Sequence, residues 1–179
     1  MSVFTNPASS AGGHAAAYVA AVLDLLGTKD PLHVLRATPE IVGRHVRQMS
    51  LAEIRQAEAP EKWSVNEVVH HLSDSELVFG FRMRMVLSQD RPQLAGYDQD
   101  RWADRLRYRD SNHEEAFALF TALRRANLKL VTGTSPTDLQ RTSVHSERGE
   151  ETLKHMIRLY AGHDLVHIRQ IERIRRALS

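Results

Sequence analysis

The most constraining stretch of this 179-residue chain is its C-terminal run from Glu150 to Ala177, which holds no proline and a single glycine, Gly162. At about 1.5 Å per residue it predicts a helix of roughly 40 Å. On a wheel of about 100° per residue, with His163 at the origin, Met156, Tyr160, His167, Ile171 and Ile174 fall within about 80° on one side. Arg158, Arg169, Glu172, Arg173 and Arg176 fall on the far side. A helix this long with one apolar stripe needs long partners to cover it, which predicts a helical bundle.

The other helical runs are bounded by prolines and capping residues. Residues 15–26 predict a first helix stopped by Gly27. Asp30-Pro31 and Thr38-Pro39 each set a capping residue before a proline at the first helical position. They predict a short helix near 31–37 and a longer one near 39–49, followed by a short piece at 51–57. Ser64 with Glu67 three residues on is a capping box opening a helix over 65–88. Asn112 or Ser111 caps another that reaches about Leu130, with Gly133 as its stop. Residues 92–111 read as a long connection, Pro136 to Leu139 as one short turn, and 141–149 as a polar loop. Runs of alternating β-branched residues are absent, so little or no sheet is expected. The expected fold is all-α, a four-helix bundle with short extra helices near the N-terminus. It forms a single domain over 1–179, in which 1–13 are a loose segment.

Composition excludes several chemistries. The chain has no cysteine, which removes disulfide scaffolds, thiolate zinc modules, iron–sulfur clusters and cysteine nucleophiles. Any metal must be held by His and carboxylates. Its 24 Lys+Arg and 22 Asp+Glu leave a net charge of +2, too small a surplus to predict a nucleic-acid partner. Arginines near the end of the last helix also complement its dipole without any ligand. No apolar run approaches the roughly 18 to 20 residues of a membrane span, and the N-terminus lacks the cationic start of a signal peptide. A cytoplasmic protein with neither nucleic-acid nor membrane partner is expected.

Ten histidines are the unusual feature. His163 and His167 both lie on the inner stripe of the last helix, one turn apart, the spacing two ligands need to reach one ion. Two core histidines bonded to carbonyls or carboxylates are the alternative. His163-Asp164-Leu165-Val166-His167 has Asp where the zincin helix has Glu, and no histidine follows, so a third ligand must come from upstream. On the 65–88 helix, His71 lies at the edge of the apolar stripe, whereas His70 points outward and is set aside. Glu76, near the apolar arc, is a candidate to hold a ligand's second nitrogen, or else it pairs with one of the many arginines. Histidines 14, 33, 45, 113, 145 and 155 read as incidental.

Three pieces together resemble the DinB superfamily, and most closely its YfiT-like branch. They are Trp63-Ser64-Val65-Asn66-Glu67 continuing through His70-His71-Leu72 to Glu76, then Gly96-Tyr97-Asp98-Gln99-Asp100, then Tyr160-Ala161-Gly162-His163-Asp164-Leu165-Val166-His167. The opening Pro31, Leu35, Thr38-Pro39-Glu40 also matches. The resemblance implies an up-down-down-up four-helix bundle, a homodimer, and a divalent metal on three histidines. Carried over by position these are His71, His163 and His167, the three that the helical wheels single out. Zinc or nickel is favoured, while manganese or iron also suits three imidazoles. The resemblance further implies a metal-dependent enzyme acting on a small molecule. It would be either an S-transferase that uses a low-molecular-weight thiol brought from outside or a hydrolase. A non-catalytic, metal-stabilised bundle or interaction module is the alternative. Tyr97 and Asp98 are candidates for the mouth of the site or for plain loop anchoring, and Tyr160 for the pocket or the core.

Overall fold

The computed structural model describes residues 13–178, so the N-terminal segment 1–12 lies outside the described residues. The helices are α1 (Gly13–Leu26), α2 (Pro31–Arg47), α3 (Leu51–Arg55), α4 (Val65–Ser88), α5 (Gln99–Arg105), α6 (His113–Thr132) and α7 (Leu153–Leu178). The strands are β1 (Gln93–Leu94), β2 (Thr142–His145) and β3 (Gly149–Thr152).

The start of α4 follows its sequence signal. Ser64 Oγ accepts the Glu67 amide, and a Glu67 carboxylate oxygen accepts the Ser64 amide at 2.8 Å, closing the capping box. Asp30 and Asn112 cap α2 and α6 in the same manner, through the amides of Leu32 and Glu114. Gly27 ends α1 at φ +56.

Helices α2, α4, α6 and α7 form the four-helix bundle. Helix α4 packs on α6 and α7, and α2 packs on the same two from the other side. Helix α1 lies along α7. It comes close because position 162 is glycine: a Cβ there would stand 2.4 Å from the Val22 carbonyl oxygen.

The bundle core has two apolar zones. One gathers Leu35, Phe79, Met83, Val131, Leu153 and Met156; the other gathers Val42, Val65, Leu72, Phe120, Ile168 and Ile171. Between them every helix contributes buried polar side chains: Thr38 from α2, His71, Ser75 and Glu76 from α4, Arg124 and Asn127 from α6, Asp164 and His167 from α7. Each buried Leu, Ile or Phe contributes about 1.5–3 kcal/mol through removal from water. The polar layer is tolerable only where its members satisfy one another.

Two expectations are corrected. The first is that residues 31–47 form one helix rather than two, with Pro39 inside it. Proline lacks the amide that would bond to the carbonyl of Leu35, but Arg124 Nη1 donates to that oxygen at 2.7 Å. Tertiary contact thus satisfies the acceptor left open, and the helix runs on.

The second correction is a small sheet. Strand β2 pairs with β1 in parallel and with β3 antiparallel, the latter from Thr142 opposite Thr152 to His145 opposite Gly149. Gly149 at φ +77 closes the three-residue loop between β2 and β3. The supposed loop 141–149 and the first residues assigned to the last helix therefore form a hairpin. The connection 92–111 carries β1, α5 and a 3-10 turn at Tyr108–Asp110.

Candidate metal centre

His71 projects from the first half of α4, and His163 and His167 stand one turn apart on α7, all in the polar layer between the two apolar zones. His71 and His167 are buried and His163 is half-buried. The Nε2 atoms of His71 and His163 are 3.0 Å apart, and those of His163 and His167 are 3.1 Å apart. Among the described residues this is the group of three or more His, Asp or Glu side chains whose ligand atoms all fall within 4.8 Å of one another.

The ring protons can be placed in part. His167 Nδ1 lies 2.8 Å from the Gln170 side-chain oxygen. An oxygen accepts, so Nδ1 carries the proton and the Nε2 lone pair faces the other two rings. Burial pushes the His167 pKa down to about 4, despite the Gln170 bond and the nearby Asp164 charge. Burial, reinforced by the neighbouring imidazoles, holds His71 well below the ordinary range. Burial, then His167 and Arg124, does the same for His163. The three rings are therefore neutral at pH 7 and present nitrogen ligands.

The residues fit a divalent ion. Three neutral imidazole nitrogens converge without enough protons to bridge them, an arrangement a cation relieves. Bonds of about 2.0–2.1 Å in a tetrahedral zinc site space the nitrogens about 3.3–3.4 Å apart, so a small outward relaxation admits the ion.

The other anticipated residues divide. Tyr97 lies beside the cluster: its hydroxyl is 3.0 Å from Ser75 Oγ, which is 3.3 Å from His71 Nε2. Tyr160 donates to the Ser75 carbonyl at 2.9 Å and stacks on Phe79. Asp98 instead caps α5, accepting from the amides of Asp100 and Arg101. Among the described residues Glu76 bonds no histidine. It accepts from Arg124 Nε at 2.9 Å and Asn127 Nδ2 at 2.8 Å, and burial raises its pKa more than Arg124 lowers it. Arg124 also grips Asp164 with two nitrogens at 2.6 and 3.0 Å. His70, set aside from the sequence, stacks on Tyr108 away from the cluster.

A cavity of about 130 Å³ opens next to His163. Its walls include Tyr18 and Val22 of α1, Ser75 and Arg82 of α4, Tyr97, and Tyr160 of α7. They also include His145, which the sequence pattern places among the incidental histidines. His145 is 2 % exposed at the end of β2. The signal that could have found it is the hairpin around it: Ser143 and His145 share the inward face, and Gly149 closes the turn.

The chain is a four-helix bundle with three imidazole nitrogens converging inside it, an arrangement that suits a metal ion. Comparison with known proteins gives the family. The sequence profile of the DinB superfamily matches residues 35–171, and the chain belongs to that superfamily. A protein of Oceanobacillus iheyensis named "Putative metal-dependent hydrolase" is 32% identical over 109 residues, which are 61% of this chain and 63% of that protein. The chain thus matches under two-thirds of that relative's length. A Bacillus mycoides protein of the same description is 26% identical over 143 residues, 79% of this chain and 81% of its own. Among solved structures, YfiT from Bacillus subtilis, described as a probable metal-dependent hydrolase with an unusual four-helix bundle topology, superposes with a TM-score of 0.78. That likeness covers 83% of this chain and 85% of YfiT at 23% identity, and it bears on the fold.

Proposed function

We propose that this protein is a metal-dependent hydrolase of a small molecule, with the ion held by His71, His163 and His167. The observation that carries the reading is the convergence of three neutral Nε2 atoms, 3.0 and 3.1 Å apart, beside a cavity. The names of the relatives favour hydrolysis over other reactions. A divalent ion in this position supplies Lewis acidity and lowers the pKa of water toward neutrality.

The chain's own side chains set the geometry. His167 is oriented by Gln170, and Asp164, next to His163, is clamped by Arg124, so the turn of α7 bearing both rings is fixed. When His71 Nε2 is engaged by the ion, the Ser75 hydroxyl keeps the Tyr97 oxygen as its partner. These two hydroxyls are the protic groups next to the reacting atoms and can hydrogen-bond an acyl oxygen. In the overall reaction water adds to an ester or amide carbonyl, the bond to the leaving oxygen or nitrogen breaks, and that atom takes up the proton. Glu76 and Asp164 are committed to Arg124 and are not available as bases.

The test is elemental analysis of the purified protein, followed by hydrolysis of a panel of small esters and amides before and after a chelator. About one equivalent of zinc, nickel, manganese or iron, lost in His163→Ala together with turnover, is the expected result. No metal uptake overturns the metal reading. Turnover of a generic electrophile that requires an added low-molecular-weight thiol overturns hydrolysis in favour of the S-transfer implied by the resemblance. Metal loss that melts the protein without any turnover in the native form favours a purely structural ion.

A further inference from the structure

We propose that the cavity beside the three histidines is a subsite for the carboxylate of a small substrate, bound by the Arg82 guanidinium and the His145 Nε2–H. The proposal deepens the hydrolase reading, since it names the substrate class of that same site.

The first support is an unpaired buried donor. The Glu147 amide donates to His145 Nδ1 at 3.2 Å, so the proton of the neutral ring sits on Nε2. That atom is buried and has no hydrogen-bond partner among the described residues. Burial, together with the Arg148 and Arg82 charges, pushes the His145 pKa down to about 3, so the ring is a neutral donor at any working pH. A buried N–H left unpaired costs about 1–3 kcal/mol, a cost that a ligand acceptor in the cavity would remove.

The second support is the charge on the wall. Arg82 is 6 % exposed, gives one N–H to the Ala95 carbonyl at 2.6 Å, and pairs with no carboxylate among the described residues. Arg148, also on the wall, is held by Glu151 through two bonds of 3.0 and 2.7 Å, so its charge is already matched. Glu147 is the carboxylate on the wall, and it is exposed and lies against Gly96. The buried positive charge left over is that of Arg82, and a guanidinium prefers a carboxylate it can bond through two nitrogens.

The third support is placement. Along α4, His71, Ser75 and Arg82 share a face, and Arg82 lies eleven positions beyond His71, a rise of about 16 Å. Both His163 and Arg82 border one cavity. A substrate bound by its carboxylate at Arg82 would thus extend toward the histidines, with room for on the order of ten atoms in a space of this size.

The experiment measures binding rather than turnover. Benzoate, phenylacetate and propionate are titrated calorimetrically into the purified full-length protein as isolated, with the matching primary amides as neutral controls. The expected result is that a carboxylate binds at least about tenfold more tightly than its amide. Arg82→Gln and His145→Phe are each expected to weaken it by about tenfold or more while metal content stays unchanged. His145→Gln, which keeps an N–H donor, is expected to recover part of the loss. Carboxylate affinity equal to that of the amide, or untouched by both Arg82→Gln and His145→Phe, overturns the proposal. Because the titration needs no catalysis and metal content is assayed separately, failure here leaves the metal reading standing, and failure of metal uptake leaves this binding result readable.

Discussion

Arg124 donates at 2.7 Å to the carbonyl of Leu35, the acceptor that Pro39 leaves without a helical partner. The same guanidinium binds Glu76 and Asp164, so one side chain ties α2, α4 and α7 to α6 at the level of the histidines. Removing it strands two buried carboxylates. Arg124→Met is expected to cost about 3–5 kcal/mol, the usual penalty for breaking a buried ion pair, read from urea unfolding. Pro39→Ala in that background is expected to restore part of the loss, because an alanine there supplies the backbone amide that the Leu35 carbonyl lacks. Equal loss with and without Pro39→Ala would show that the helix does not depend on this contact.

Acid should destabilise the metal-free protein through the histidines. The folded pKa values of His71, His163 and His167 lie below the ordinary 6.5, with His167 at about 4. Between those limits the unfolded chain binds protons that the folded chain refuses. Stability is therefore full above about pH 6.5 and falls as pH drops through 6.5 toward 4. His167 alone accounts for on the order of 3 kcal/mol. Urea midpoints compared at pH 7.5, 6 and 4.5 test this, and His167→Gln should flatten the slope. Saturating zinc should hold the plateau to lower pH, since metal and protons compete for the same nitrogens.

Gly162→Ala should act on α1 more than on the bundle. The new methyl meets the Val22 carbonyl, which is backbone and cannot swing aside. The expected cost is about 1–3 kcal/mol, the range for overpacking, with faster amide exchange over α1 than over α4. Since Tyr18 and Val22 wall the cavity, ligand binding should weaken as well. Uniform exchange across both helices would contradict this.

Leu77 and Phe81 are 50% and 60% exposed and stand one turn apart on α4. A homodimer that used this face would cover them. Phe81→Glu is then expected to convert a dimer into a monomer in analytical ultracentrifugation. A monomeric parent protein, or a dimer indifferent to the change, places the contact elsewhere or removes it.

Much of the architecture was legible because its signals are local. The Ser64–Glu67 box fixes the start of α4, and helical phase alone brings His71, His163 and His167 to inner faces. Three features were not legible. The break expected before Pro39 rests on a sound local rule, overridden by an arginine 85 positions away in the chain. The β2–β3 hairpin strands carry one large apolar side chain, Val144, so no alternation of apolar residues marks them, and their two-residue neighbour β1 is too short to show. His145 and Arg82 lie 63 positions apart and owe their shared cavity wholly to tertiary folding.

The three-histidine centre and the far walls of the cavity beside it are built from different parts of the chain. The three imidazoles come from α4 and α7, helices that the Arg124 cluster ties together. The far walls come from α1, the segment after β1 and the end of β2, which pack on the outside of that bundle. Changes in the outer pieces can therefore reshape the cavity without moving the three histidines. A scaffold divided in this way can keep one chemistry while its descendants diverge in what they act upon.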